Sequence, residues 1–96
     1  MSDTAARERK ILSPFDKRES INLKEAAGIA GKSESTLRGW CDEYGLARRI
    51  GGGPWAVSRV ALAMFLDGDV TALAAYHAGD RSSGLVKSYF DRYVLK

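Results

Sequence analysis

The chain has one cysteine, one histidine and two prolines in its 96 residues. A single cysteine excludes an internal disulfide and any multi-cysteine metal centre, and it fits a reducing compartment. The lone histidine, His77, falls on an otherwise apolar helical face, where packing is the expected role rather than metal ligation. No apolar run approaches the roughly 18 residues of a membrane-spanning helix. Met1–Arg9 is polar, without the hydrophobic stretch of a signal peptide. Neither a Ser/His/Asp nor a Cys/His arrangement has a sequence context suited to nucleophilic catalysis, so neither an enzyme nor a cofactor is expected. The acids Asp42 and Glu43, and Asp67 and Asp69, read as helix-end and loop charges. Gly51–Gly53 lacks the Gly-Lys-Ser/Thr ending of a phosphate-binding loop.

What is present is the composition of one folded soluble domain, 45% hydrophobic and 28% charged. Fifteen Lys and Arg against 12 Asp and Glu leave a net charge of only +3. Its placement says more than its size. In residues 1–16 the cations Arg7, Arg9 and Lys10 cancel Asp3, Glu8 and Asp16. In residues 67–96, Arg81, Lys87, Arg92 and Lys96 cancel Asp67, Asp69, Asp80 and Asp91. The excess therefore lies wholly in residues 17–66. Within it, Leu46–Leu66 carries Arg48, Arg49 and Arg59 with no acid at all. A surface for a polyanion belongs there first.

Local signals divide the chain into short elements. Residues 1–19 read as a flexible leader, interrupted by Pro14. An extended Ile21-Asn22-Leu23 leads into a helix over Lys24–Ala30, with Ala26, Ala27 and Ala30 inward and Gly31 as its C-cap. Ser33 stands at the N-cap of a second helix over Glu34–Tyr44, where Leu37, Trp40 and Cys41 face the core and Gly45 ends the run. Leu46–Ile50 and Trp55–Val57 read as two strands around Gly51-Gly52-Gly53-Pro54. Ser58 caps a third helix reaching Leu66, and Asp67-Gly68-Asp69 breaks it. Val70, Leu73, Ala74 and His77 repeat at helical spacing. Leu85/Val86, Tyr89/Phe90 and Tyr93/Val94 form a broad apolar stripe on a last helix. That stripe needs a partner surface, in its own domain or in a second copy.

Two short helices, a tight turn and a hairpin suggest a helix-turn-helix with a wing. Helices crossing at close range need a small residue at the contact, a glycine in the turn and apolar inner faces. Ala27 supplies the first and Gly31 the second. Ala26, Ala30, Leu37 and Trp40 supply the inner faces.

Ile21-Asn22-Leu23-Lys24-Glu25-Ala26-Ala27, followed by Gly31-Lys32-Ser33-Glu34-Ser35-Thr36-Leu37-Arg38-Gly39-Trp40, resembles the excisionase-type and MerR-type winged-helix DNA-binding domains. Trp55-Ala56-Val57-Ser58 and the helix after it continue the likeness, which spans Ile21–Leu66. It implies DNA binding, with the second helix in the major groove and the wing on the backbone or minor groove. Three positions depart from the pattern: Lys32 in place of an apolar turn residue, Gly39 in place of a basic one, and a wing tip without arginine. The additional cysteines and long dimerisation helix of MerR-type metal sensors do not occur in this sequence.

The expected fold is therefore mainly α with a small β-hairpin wing: a winged helix-turn-helix over 20–67. Two C-terminal helices follow over 68–96, packing on that domain or self-associating. Ser33, Ser35 and Thr36 are expected to donate to phosphate or base edges at the helix N-terminus. Arg38 is expected to read guanine. Lys24, Lys32, Arg48, Arg49 and Arg59 are expected to neutralise phosphate. Trp40 and Trp55 belong to the core rather than to a base-stacking platform. Leu85, Val86, Tyr89, Phe90 and Tyr93 form the candidate self-association surface. Double-stranded DNA is the expected partner of a homodimer or cooperative assembly, in the cytoplasm on a bacterial nucleoid, without a membrane or metal. The function is then that of a small transcriptional regulator or an excisionase-like recombination-directionality factor, from a bacterium or phage. A protein–protein adaptor, such as a phage terminase small-subunit-like component with weak DNA binding, is the alternative. Gly39, the modest charge and the apolar C-terminal stripe favour it.

Overall fold

The computed structural model describes residues 9–49 and 51–94. The described part is mainly helical, with five helices and a small three-stranded antiparallel sheet. In chain order these are β1 (Ser20–Ile21), α1 (Leu23–Ala30), α2 (Glu34–Tyr44), β2 (Ala47–Arg49) and β3 (Trp55–Ser58). They are followed by α3 (Arg59–Leu66), α4 (Val70–His77) and α5 (Gly84–Tyr93). The expected leader over residues 1–8, Ile50 at the end of the expected first wing strand, and the last two residues lie outside the described residues.

Local chemistry sets the helix-turn-helix. Asn22 caps α1 through a reciprocal box: its side chain accepts from Glu25 N–H at 2.7 Å while Glu25 accepts from Asn22 N–H at 3.2 Å. At the other end Gly31 takes a left-handed conformation, and Lys32 N–H reaches back to Ala27 O at 3.0 Å. Ser33 then starts α2, accepting from Thr36 N–H at 3.1 Å. Ala26, Ala27 and Leu37 are buried where the two helices pack, as the spacing predicts.

The hairpin pairs Ala47 with Val57, Arg48 with Ala56 and Arg49 with Trp55. A third strand, β1, lies on the other side of β3, with Ser20 opposite Ser58 and Ile21 opposite Val57. The wing is thus tied to the chain just before α1, a pairing that two residues of strand give no sequence signal for.

Residues 9–19 are not a flexible leader. Ile11 and Leu12 are buried in the core, Lys10 N–H donates to His77 O at 3.0 Å, and Leu12 N–H donates to the Tyr76 hydroxyl at 2.9 Å. Glu19 is only 1% exposed. Its Oε2 accepts from Ser58 Oγ at 2.6 Å and from the Tyr76 hydroxyl, and its carbonyl accepts from Arg59 N–H at 2.9 Å. Burial, and then the Glu19 charge, push the Tyr76 hydroxyl well above the ordinary tyrosine range, so it stays a donor.

The apolar stripe of α5 is used within the chain. Val86 and Tyr89 are buried, Phe90 and Tyr93 are half-buried, and Leu85 alone of the expected self-association set is exposed. The helix packs on α3 and α4, and the Tyr89 hydroxyl reaches Asp67 and Asp69 at 3.0 and 3.1 Å. A helix with one broad apolar face buries it against the nearest layer, and α3 and α4 supply that layer.

Gly45 marks the closest approach. Its φ is +68°, and a Cβ there would lie 2.7 Å from Arg9 Cδ and 2.8 Å from His77 Nε2. The His77 Nε2–H donates to the Gly45 carbonyl at 2.8 Å, which fixes the ring as packed structure. Burial holds the His77 pKa below its ordinary 6.5; Arg9 and Arg81 add to this, and the bond to Gly45 opposes it. The unfolded chain therefore takes up the proton first as pH falls. Stability from this group is complete above about pH 6.5 and drains away below it, down to the folded-state value. Thermal melts should fall on acidification through that window, and less so in His77→Gln. An equal fall in both proteins would remove His77 as the cause.

Candidate nucleic-acid interface

A cleft of about 470 Å³ opens between the start of α1, the outer face of α2 and the hairpin. Asn22, Leu23, Lys24, Glu34, Arg38, Arg49, Pro54 and Trp55 line it. Three of the nine expected DNA-binding residues meet here from three separate elements: Lys24 from α1, Arg38 from α2 and Arg49 from β2. Glu34 is the one acid among them.

Each cation arrives by a local rule. Lys24 sits in the first turn of α1, which the Asn22 cap fixes. Arg38 lies one residue past buried Leu37, so the face that buries Leu37 presents Arg38 to solvent. Arg49 stands on the hairpin opposite Trp55, its guanidinium carbon 5.6 Å from the indole centroid and its Nε donating to Gly53 O at 3.0 Å. Among the described residues the ion pairs are Arg18–Asp16 and Lys87–Asp91, so no carboxylate pairs with the cleft cations.

Comparison with known protein families, curated proteins and solved structures returned no match to this chain. The likeness to excisionase-type and MerR-type domains therefore rests on the motif residues alone.

The remaining expected residues are distributed around this cleft. Lys32 is exposed in the turn, and Ser33, Ser35 and Thr36 are exposed at the N-terminus of α2. The Ser33 hydroxyl is already engaged: it accepts from Thr36 N–H and donates to Thr36 Oγ1 at 3.0 Å. The hydrogens left to donate outward are those of Ser35 and Thr36, together with orphan first-turn N–H groups. Arg48 precedes Arg49 in β2, and strand alternation sends it to the opposite, outer face of the hairpin with Ala56. Arg59 is drawn elsewhere, its guanidinium carbon 4.1 Å from the Tyr93 ring centroid on α5. It does not line the cleft.

Sequence reading missed Glu34 as part of this site, treating it only as a favourable charge at the helix start. Its signal was present: Glu34 and Arg38 are four apart on one exposed helix and share a face. Pro54 and Trp55 form the cleft's apolar edge, and Trp55 is half-buried rather than a full member of the core. Trp40 is half-buried too, packing on Phe65 with ring centroids 5.1 Å apart.

No group of three or more metal-ligating side chains is assembled among the described residues. Cys41 lies on the inner side of α2, 2% exposed, and burial pushes its thiol up to about 11. It should resist an aromatic disulfide reagent near neutral pH in the native protein and react at once in denaturant. Comparable rates in the two states would show that α2 does not bury it.

Proposed function

We propose that this chain binds duplex DNA, with α2 entering the major groove and the hairpin resting on the backbone. The observation that supports it best is the meeting of Lys24, Arg38 and Arg49 in one cleft, without carboxylate partners, beside the exposed N-terminus of α2. A major groove about 12 Å wide admits an α-helix of ordinary diameter.

On this reading the roles follow from chemistry. Arg38, on the exposed face of α2, offers two parallel donors to guanine. Ser35 and Thr36 meet phosphate at the positive end of the helix. Lys24 and Arg49 flank the groove on either side and neutralise phosphate, and Lys32 reaches the backbone from the turn. Arg48, on the outer face of the hairpin, contributes to the field rather than to the cleft. Arg59 is left out, because its cation lies over Tyr93. The assignment is to a small transcriptional regulator or an excisionase-like recombination-directionality factor. Such a footprint carries modest specificity per copy, and cooperative binding along DNA is the expected remedy.

Anisotropy titration of a labelled random duplex, repeated over a salt series, tests this directly. Replacing Arg38 and Arg49 together by Ala should weaken binding at low salt. It should also flatten the log–log salt dependence by about 1.8, at roughly 0.9 per lost phosphate contact. Unchanged affinity in that double variant, or no binding at low salt, would refute the reading and leave the protein–protein adaptor in its place.

Glu34 supplies a test of opposite sign. Its carboxylate faces the same cleft and repels phosphate, so Glu34→Gln should tighten binding by about threefold, the order of one exposed charge interaction. Weaker binding by Glu34→Gln would place the nucleic acid elsewhere.

A further inference from the structure

A second cleft, of about 350 Å³, lies away from the basic one, between residues 14–19, the loop after α4 and α5. Pro14 and Phe90 give it apolar walls, and Glu19, Arg81 and Lys87 bring charge to it. Its volume falls at the small end of the range for small-molecule sites.

Two polar atoms of its lining residues lack partners. Glu19 is 1% exposed, and both of its donors, Ser58 and Tyr76, bond to the same oxygen, Oε2. Its Oε1 accepts no hydrogen bond among the described residues. Arg81 donates through one terminal nitrogen to Tyr76 O and Asp80 O, at 2.8 and 2.9 Å, and through the other to Lys10 O. Its Nε is buried with no acceptor. Buried polar groups are ordinarily satisfied, so each such atom calls for an explanation.

The neighbouring charges divide in the same sense. Asp16, also on the lining, is engaged by Arg18 at 2.9 Å, which leaves Glu19 as the acceptor for a cation. Lys87 pairs with Asp91 on its own helix at 2.9 Å, and both side chains are about half exposed. An exposed pair of that kind exchanges readily for a better partner. The cleft thus offers an unpaired acceptor, an unpaired donor with a second cation nearby, and an apolar wall.

We propose that this cleft binds a free α-amino acid with an apolar side chain. Its ammonium meets Glu19 Oε1, its carboxylate meets Arg81 and Lys87, and its side chain lies against Pro14 and Phe90. An α-amino acid fits because it carries donor and acceptor on adjacent atoms with the apolar group diverging from both. The site shares no residue with the basic cleft, so it stands or falls independently of DNA binding.

The test is a titration of the full-length, ¹⁵N-labelled chain with L-leucine and with L-phenylalanine at millimolar concentration, followed by amide chemical shifts. Saturable shifts at Ser82, Lys87 and Phe90 are expected with at least one of the two. For L-leucine, 3-methylbutylamine lacks the carboxylate and 4-methylpentanoate lacks the ammonium; each should bind at least about tenfold more weakly, having lost one charge-assisted contact. Lys87→Ala, at an exposed position, should weaken binding without unfolding the chain, which covers the case in which Glu19→Gln does not fold. No saturable shift with either amino acid, shifts centred away from the cleft, or an analogue that matches L-leucine would each overturn the proposal.

Discussion

The fold turns on one buried carboxylate. Glu19 accepts from Ser58, which caps α3, and from Tyr76, which sits on α4. Its backbone carbonyl receives Arg59 N–H, and the next two residues pair with β3. Four separate pieces of chain therefore meet at one side chain: the segment before β1, the end of the wing, the start of α3 and the middle of α4. No lysine or arginine pairs with it among the described residues. Two hydroxyl donors take the place of a counter-ion, an arrangement that works only while both are held in position. Removing any one member would leave the others buried and unmatched, at a cost of about 1–3 kcal/mol for each orphaned group.

That constraint explains why the wing is firm enough to frame a cleft. A three-residue strand paired with a four-residue strand has little stability alone. Here β3 is held on both edges, and its last residue, Ser58, is at once ladder, cap and donor to Glu19. With β3 fixed, the pairing of Arg49 with Trp55 sets the height of the Arg49 cation opposite α2. The position of a solvent-facing arginine thus follows from a polar contact in the interior.

What could be read from the sequence was what local chemistry decides. The α1–turn–α2 unit was legible because caps, small residues and apolar spacing all lie within Ile21–Gly45, and each acts over a few residues. The parity of Arg48 and Arg49 was legible too, since consecutive strand residues face opposite ways, although the two cations read as equivalent on charge alone. Glu19 was not legible. Its partners are 39 and 57 residues away, and an isolated acid in a polar stretch looks like surface. Ile11 and Leu12 escaped for a related reason: two apolar residues make no period. The α5 stripe was correctly seen as needing a partner, but its length and breadth could not say whether that partner was α3 and α4 or a second chain.

The cations sort themselves once these contacts are known, and the sorting does more than the net charge to locate a function. Arg9 donates to Glu43 O, Arg18 pairs with Asp16, Arg81 binds three backbone carbonyls, and Arg59 and Arg92 lie over tyrosine rings. Those five act in the architecture, and an arginine so engaged has less to offer a polyanion. Lys24, Lys32, Arg38 and Arg48 have no such engagement among the described residues, and Arg49 is only steadied by Gly53 and Trp55. All five of the latter fall within a span of 26 residues that is also the helix-turn-helix and wing. A chain with a net charge of +3 can therefore still present a concentrated positive field, because its fold engages cations elsewhere and leaves these facing solvent.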